Sequence, residues 1–227
     1  MRFIVDERVF AEQAEQWIFN TIQTVLEASA RCHLMLAGGS TPLPVYRLLA
    51  KRGGIPWSRI SLYFGDERCV PADTPESNYH AVMTNLFHGP IPEGLVVHRM
   101  CGEEEPGRAA QGYESILPER VDILLLGVGD DGHTASLFPG SAALAEEQRR
   151  VMPVIGSKPP LQRLTVTPPV IRSARRLLVM VQGGEKADAV RRALLNGSVP
   201  AAVAKDGDWL LDRQAAGSLP KDGLNPE

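Results

Sequence analysis

Val121-Asp122-Ile123-Leu124-Leu125-Leu126-Gly127-Val128-Gly129-Asp130-Asp131-Gly132-His133 is an apolar run that ends in a glycine-rich turn. A short, nearly unbroken apolar run bounded by glycine fits a strand covered on both faces, as in a parallel sheet between layers of helix. The turn then delivers two carboxylates and an imidazole, with Thr134 and Ser136 just beyond. Burial of apolar surface does not require such a set. The turn is therefore a candidate for chemistry.

Working outward, similar apolar runs lie at Leu34 to Ala37, Ile60 to Phe64 and Leu177 to Val181, each bounded by Gly and most followed by a helix-like segment. This alternation predicts βα units and a doubly wound α/β fold with a mainly parallel sheet flanked by helices. Prolines mark helix starts: Pro42 before Leu43 to Ala50, Pro106 before Gly107 to Leu117, and Pro168-Pro169 before Val170 to Ala174. Val9, Ala14, Trp17, Ile18, Ile22, Val25 and Leu26 recur at helical spacing, so residues 7 to 30 read as an amphipathic helix with Asp6 as N-cap. The proline- and charge-rich stretch from Pro139 to Pro160 reads as surface structure or a small lid subdomain. Residues 1–227 are expected to form one α/β domain, with 220–227 as a frayed tail. Leu34-Met35-Leu36-Ala37-Gly38-Gly39 and Val179-Met180-Val181-Gln182-Gly183-Gly184 echo each other as strands running into paired glycines. Such an echo would bring two helix N-termini to one crevice.

At 227 residues the chain is large enough to bury about 70% of its unfolded surface without a staple. Its net charge of −3 gives no basic excess for nucleic acid, so the expected partner is a small molecule. No apolar run approaches the roughly 18 residues of a membrane span, and the N-terminus lacks the pattern of a signal peptide. A cytoplasmic protein is expected, a monomer in preference to a dimer. Cys32, Cys69 and Cys101 are widely spaced without a Cys-x-x-Cys pair, which fits reduced thiols that pack. His33, His80, His88 and His98 lack metal-ligand spacing, so a metal site is not expected.

Gly38-Gly39-Ser40-Thr41-Pro42 follows a strand and opens a helix. Gly39 lets the backbone approach a ligand, the free N–H groups of the first turn attract an anion, and Ser40 and Thr41 add donors. Without the Lys of a nucleotide P-loop, this cradle suits a phosphate ester. The bland alternative is an ordinary Ser/Thr helix cap. In Gly65-Asp66-Glu67-Arg68, Arg68 can donate a bidentate pair to phosphate, while Asp66 and Glu67 could orient it or bind sugar hydroxyls. A solvated loop salt bridge is the competing reading, and Asn78, beyond Ser77, could serve as a cap or a ligand-facing amide.

Gly127-Val128-Gly129-Asp130-Asp131-Gly132 matches the dinucleotide pattern Gly-x-Gly-x-x-Gly, but two carboxylates would lie where the pyrophosphate must sit. The glycines are better read as a tight turn presenting Asp131 and His133. A neutral imidazole, with an unperturbed pKa of about 6.5, can take a proton from water near neutrality. Lys186 falls in the first turn of a helix, where a cation costs on the order of 0.3 to 1 kcal/mol unless an anion is bound. Arg163 is a further basic group on a segment that could reach the crevice.

In this order, Gly38-Gly39-Ser40-Thr41-Pro42, Gly65-Asp66-Glu67-Arg68-Cys69-Val70-Pro71 with Ser77-Asn78-Tyr79, Gly129-Asp130-Asp131-Gly132-His133-Thr134-Ala135-Ser136-Leu137-Phe138-Pro139, and Gly183-Gly184-Glu185-Lys186 resemble the 6-phosphogluconolactonases of the glucosamine-6-phosphate isomerase/6-phosphogluconolactonase family. The resemblance implies a Rossmann-like fold shared with glucosamine-6-phosphate deaminases and ribose-5-phosphate isomerases. It implies cofactor-free hydrolysis of 6-phospho-D-glucono-1,5-lactone, with Ser40, Thr41, Arg68 and Lys186 on phosphate and substrate, His133 as base, and Arg163 at a basic position of the family. Asp131 would hold the turn and the imidazole.

Three other readings compete. A deaminase of this family typically continues the turn into Ala-Phe-Asn-Glu-Pro, whereas here Leu137, Phe138 and Pro139 stand at the matching positions. A serine hydrolase would use Ser40, Asp66 and His133 in that order, although Pro42 replaces the final Gly of Gly-x-Ser-x-Gly. A sugar-phosphate sensor would not need His133.

Overall fold

The computed structural model of the chain describes residues 1–87 and 89–220. In chain order it contains β1 (Arg2–Val5), α1 (Phe10–Ala28), β2 (Cys32–Leu36), α2 (Leu43–Lys51), β3 (Ile60–Phe64), β4 (Asp66–Arg68), α3 (Asn78–Leu86) and β5 (Val96–Val97). There follow α4 (Pro106–Ile116), β6 (Ile123–Gly127), β7 (Val151–Ile155), β8 (Gln162–Val166), α5 (Pro168–Ser173), β9 (Arg176–Val181), α6 (Ala187–Arg191) and β10 (Asp208–Asp212).

Seven strands form one parallel sheet in the order β1-β10-β9-β6-β2-β3-β5. Successive strand residues point to opposite faces, and both faces are covered. Leu34, Leu36, Ile123 and Leu125 enter one core with α1, α2 and α3, while Met35, Leu124 and Leu126 enter a second core with α4, α5 and α6. That two-sided burial is why the central strands carry almost no polar residues. The chain leaves β2 toward β3 on one side and later returns through β6 toward β9 on the other. β2 and β6 therefore flank the switch point where a crevice opens beyond the strand ends.

The helix over α1 is set by Phe10, Ala14, Ile18 and Ile22, all buried at intervals of four. Asp6 does not cap it. Val9 occupies the cap position without a side-chain bond, and Asp6 instead accepts from the Arg8 backbone N–H at 3.1 Å, closing a separate turn. The stretch from Pro139 to Pro160 is more regular than a surface lid: it holds a 3₁₀ turn at Ala142–Ala145 and then β7. β7, β8 and β4 form a three-stranded antiparallel sheet in the order β4-β8-β7, with Val151 fully buried. Residues 221–227 of the expected tail lie outside the described residues.

Candidate active site

The turns after β2, β3, β6 and β9 meet around a cleft of about 430 Å³ at the strand ends. Gly39, Ser40, Thr41, Asp66, Arg68, His133, Arg163 and Lys186 all line it, so eight of the nine candidate positions come together. Asp131 is the exception: it stands behind His133.

After β2, Gly39 takes φ of +89°, a conformation open to glycine, and a Cβ there would meet nothing within 4 Å. Gly38, by contrast, lies against Asn78, whose side-chain oxygen would be 2.1 Å from an added Cβ. α2 begins at Leu43 with Pro42 at its cap position, and no side chain caps it. Ser40 and Thr41 are therefore not an ordinary helix cap, and both line the cleft.

After β3, the two acidic residues separate in role. Ser136 Oγ donates to Asp66 Oδ2 at 2.6 Å and the Asn78 amide donates to Asp66 Oδ1 at 3.0 Å, fixing Asp66 in the cleft wall. Glu67 turns away and neither lines the cleft nor bonds the Arg68 guanidinium. Its carboxylate accepts from the backbone N–H groups of Arg68 (2.7 Å), Asn78 (2.7 Å) and Tyr79 (2.8 Å) and from the Ser77 hydroxyl (3.0 Å), tying the loop to the start of α3. Burial pushes the Glu67 carboxyl up, against those four donors. Ser77 caps α3 by accepting from the His80 N–H at 3.1 Å.

Arg68 forms no salt bridge among the described residues. Its Nη1 donates to the Glu76 carbonyl at 2.5 Å, and its buried Nε has no partner. In the β4–β8 ladder Arg68 stands directly opposite Arg163. Like charges placed opposite one another in a sheet repel. Arg163 is only 8% exposed, and burial, then the Arg68 charge, depress its pKa. Two guanidiniums held together at the wall of a cleft are the electrostatic signature of an anion site.

After β6, the turn is packed around His133. A Cβ on Gly129 would stand 2.1 Å from the imidazole, and one on Gly132, at φ of +85°, 2.6 Å from Val199. Only glycine fits either place. Asp131 Oδ1 accepts the His133 backbone N–H at 3.0 Å and lies 2.6 Å from His133 Nδ1. Burial raises the Asp131 carboxyl, but the His133 backbone and ring bonds outweigh it and hold the group below its ordinary value. With Nδ1–H donating to Asp131, the lone pair of the neutral ring sits on Nε2. The Phe138 ring packs 4.8 Å from the imidazole, and Thr134 Oγ1 donates to the Gly127 carbonyl at 2.8 Å. Ala135, at φ of +47°, lines the cleft beside them.

Ser40, Asp66 and His133 do not form a triad, because the carboxylate on His133 is Asp131 and Asp66 is engaged by Ser136 and Asn78. After β9, the turn at Gly184–Lys186 presents Glu185 and Lys186 to the cleft, so the echoed glycine turns do face one crevice. Asp130, Lys158 and Ala135 also line the cleft and were not singled out by sequence reasoning. Lys158 comes from the tip of the β7–β8 hairpin, and only the strand register brings it here. Among the described residues, no group of three or more His, Cys, Asp or Glu is placed to hold a metal ion, and no helix is long and apolar enough to cross a membrane. His88 lies outside the described residues.

A family model for glucosamine-6-phosphate isomerases/6-phosphogluconolactonase matches residues 5–211. The chain is 38% identical to the 6-phosphogluconolactonase of Mycobacterium leprae, covering 95% of this chain and 96% of that one. It superposes on the 6-phosphogluconolactonase of Trypanosoma brucei with a TM-score of 0.87 at 28% identity, over 97% of this chain and 98% of the other. It is also similar to a monomeric glucosamine-6-phosphate deaminase, with a TM-score of 0.82 at 25% identity over 96% and 98% of the two chains.

Proposed function

The chain belongs to the glucosamine-6-phosphate isomerase/6-phosphogluconolactonase family, and we infer that it hydrolyses 6-phospho-D-glucono-1,5-lactone to 6-phospho-D-gluconate, the second step of the oxidative pentose phosphate pathway. The observation that carries the lactonase assignment within the family is the environment of His133. Leu137 is fully buried in the core and the Phe138 ring lies against the imidazole. A deaminase would be expected to carry a carboxylate in this segment to assist the histidine, and no acidic residue stands there.

In the proposed mechanism, His133 Nε2 removes a proton from water as its oxygen attacks C1. Asp131 accepts from Nδ1, fixes the tautomer that places the lone pair on Nε2, and stabilises the imidazolium that forms. The negative charge that develops on the C1 oxygen needs a donor, and a backbone N–H near Gly132 fits that role. Collapse of the tetrahedral intermediate breaks the bond from C1 to the ring oxygen, which takes up a proton from His133 as it becomes the C5 hydroxyl. Water is the only co-reactant the balance requires. A lactone is an activated ester, so one base contributing roughly 10² to 10⁴ in rate is an adequate catalyst.

Ser40, Thr41, Arg68, Arg163 and Lys186, with the Gly39 backbone, hold the phosphate and orient the ring, and Asp66 takes sugar hydroxyls. The opposed Arg68 and Arg163 support this assignment, since a bound dianion converts their repulsion into shared attraction. The enzyme acts as a cytoplasmic monomer of one domain. Three free thiols are consistent with a reducing cytoplasm, and two cores that share the large sheet are consistent with one domain.

The test is to generate the lactone in situ and follow its hydrolysis at mildly acid pH, where the spontaneous background is slow, beside ammonia release from glucosamine 6-phosphate. Lactone hydrolysis well above background without ammonia release is expected. Ammonia release with no lactone hydrolysis would overturn the assignment.

A further inference from the structure

Lys158 and Asp130 face each other across the mouth of the cleft, with Nζ 3.3 Å from Oδ2 and 3.4 Å from Oδ1. Asp130 belongs to the turn after β6 and Lys158 to the tip of the β7–β8 hairpin, so the pair joins the large sheet to the small one. Both side chains are more than half exposed, at 52% and 71%. An ion pair so exposed contributes little to stability. Its place in the cleft wall calls for another account.

The charge around it supplies one. Lys158 holds the Asp130 carboxyl below its ordinary value, and Lys186 adds to the effect from across the cleft. Asp130 thus shares one cavity with two lysines. Of the other acidic groups in the lining, Asp66 is engaged by Ser136 and Asn78 and Glu185 forms no ion pair with Lys158 among the described residues, so the counter-charge on Lys158 is Asp130. The backbone of Lys158 is already anchored: its carbonyl accepts from Arg163 Nη2 at 3.1 Å, and the Pro160 carbonyl accepts from Arg163 Nε at 3.0 Å. Only the exposed side chain is free to change partner, a rotation that needs no movement of the hairpin.

We propose that Lys158 is a phosphate-selecting residue held in reserve by Asp130, transferring its ammonium from the Asp130 carboxylate to the phosphate of the incoming sugar. This rests on the phosphosugar lactonase reading given above. A phosphate monoester carries about −1.5 to −2 charges against the single charge of Asp130, and it offers more acceptor oxygens. Phosphate therefore outcompetes Asp130 for Lys158, whereas a sugar lactone without phosphate leaves the pair intact. Asp130 in turn sets how tightly phosphosugars bind, because each binding event must first take Lys158 from it.

The experiment compares 6-phosphogluconolactone with glucono-1,5-lactone as substrates, and 6-phosphogluconate with gluconate by calorimetry. Lys158→Ala is expected to lower the ratio of kcat/KM for the phosphorylated over the unphosphorylated lactone about ten-fold, mainly through KM. Asp130→Asn is expected to lower KM for the phosphorylated lactone several-fold in the native background and hardly at all when Lys158 is already Ala, a non-additivity that a general electrostatic effect of Asp130 would not produce. An unchanged substrate ratio in Lys158→Ala, or equal tightening by Asp130→Asn in both backgrounds, would overturn the proposal. Absence of lactone turnover in the native chain would instead defeat the functional reading, and the calorimetric comparison would still report on Lys158.

Discussion

The turns after β2 and β6 leave neighbouring strands and reach the same cleft, yet they are built on opposite plans. In the first, Gly39 has open space where a side chain would lie, and Ser40 and Thr41 are not used to cap the helix they precede. In the second, Gly129 and Gly132 are both pressed against neighbours, and the imidazole, its own N–H and the Thr134 hydroxyl are all bonded within the turn. A loop that receives a ligand keeps its donors unspent until the ligand arrives. A loop that aims a base spends its bonds on aim. Substitutions in the first should be read in binding and in the second in rate.

The strongest challenge to that contrast is His133→Ala. Turnover should fall about 10²- to 10⁴-fold while calorimetric affinity for 6-phosphogluconate stays within about two-fold. Near-native turnover would remove His133 from the role of base. A finer comparison sets Gly129→Ala against Gly39→Ala. The first drives the imidazole from its seat beside Asp131, and a displacement of about 1 Å at a reacting group can cost roughly 10²-fold in kcat. The second meets no atom but forces an L side chain to a positive φ, destabilising by about 1 to 2 kcal/mol, visible as a lower Tm with KM affected more than kcat. Equal kcat losses in the two variants would erase the distinction between the turns.

The smallest expected effect concerns acid. The Asp131 carboxyl lies below its ordinary value in the folded chain, so its contribution to stability is complete above the unfolded value of about 3.9 and is lost as pH falls through the folded one. Asp131→Asn should flatten the acid limb of unfolding followed by circular dichroism. An identical acid limb would mean that the pair orients His133 without stabilising the fold.

The legibility of these features follows their physics. β3 was readable to the residue, because Ile60 to Phe64 is buried on both faces and bounded by a glycine. β7 was not, because Pro153 and the charged residues before it suggest a loop. The strand tolerates Pro153 because β7 is an edge of the small sheet, where one side of the ladder needs no donor. β1, β5 and β10 also escaped notice, being short or flanked by charge. In the cleft, groups carried on one turn, such as Asp131 with His133, could be found from local spacing. The opposition of Arg68 to Arg163 and the position of Lys158 depend on which residues pair across β4, β8 and β7. Nothing local in the sequence specifies that register.

The arrangement β1-β10-β9 has a consequence for how the molecule is made. β1 pairs only with β10, from Arg2 beside Trp209 to Val5 beside Asp212, and β10 separates it from the rest of the sheet. On the ribosome, β1 therefore emerges well before its partner and waits without a ladder while the strands between them assemble, docking only after β10 has been delivered. Vectorial synthesis builds this sheet from its middle, and β1, made before the other strands of the sheet, is among the last of them to find its place.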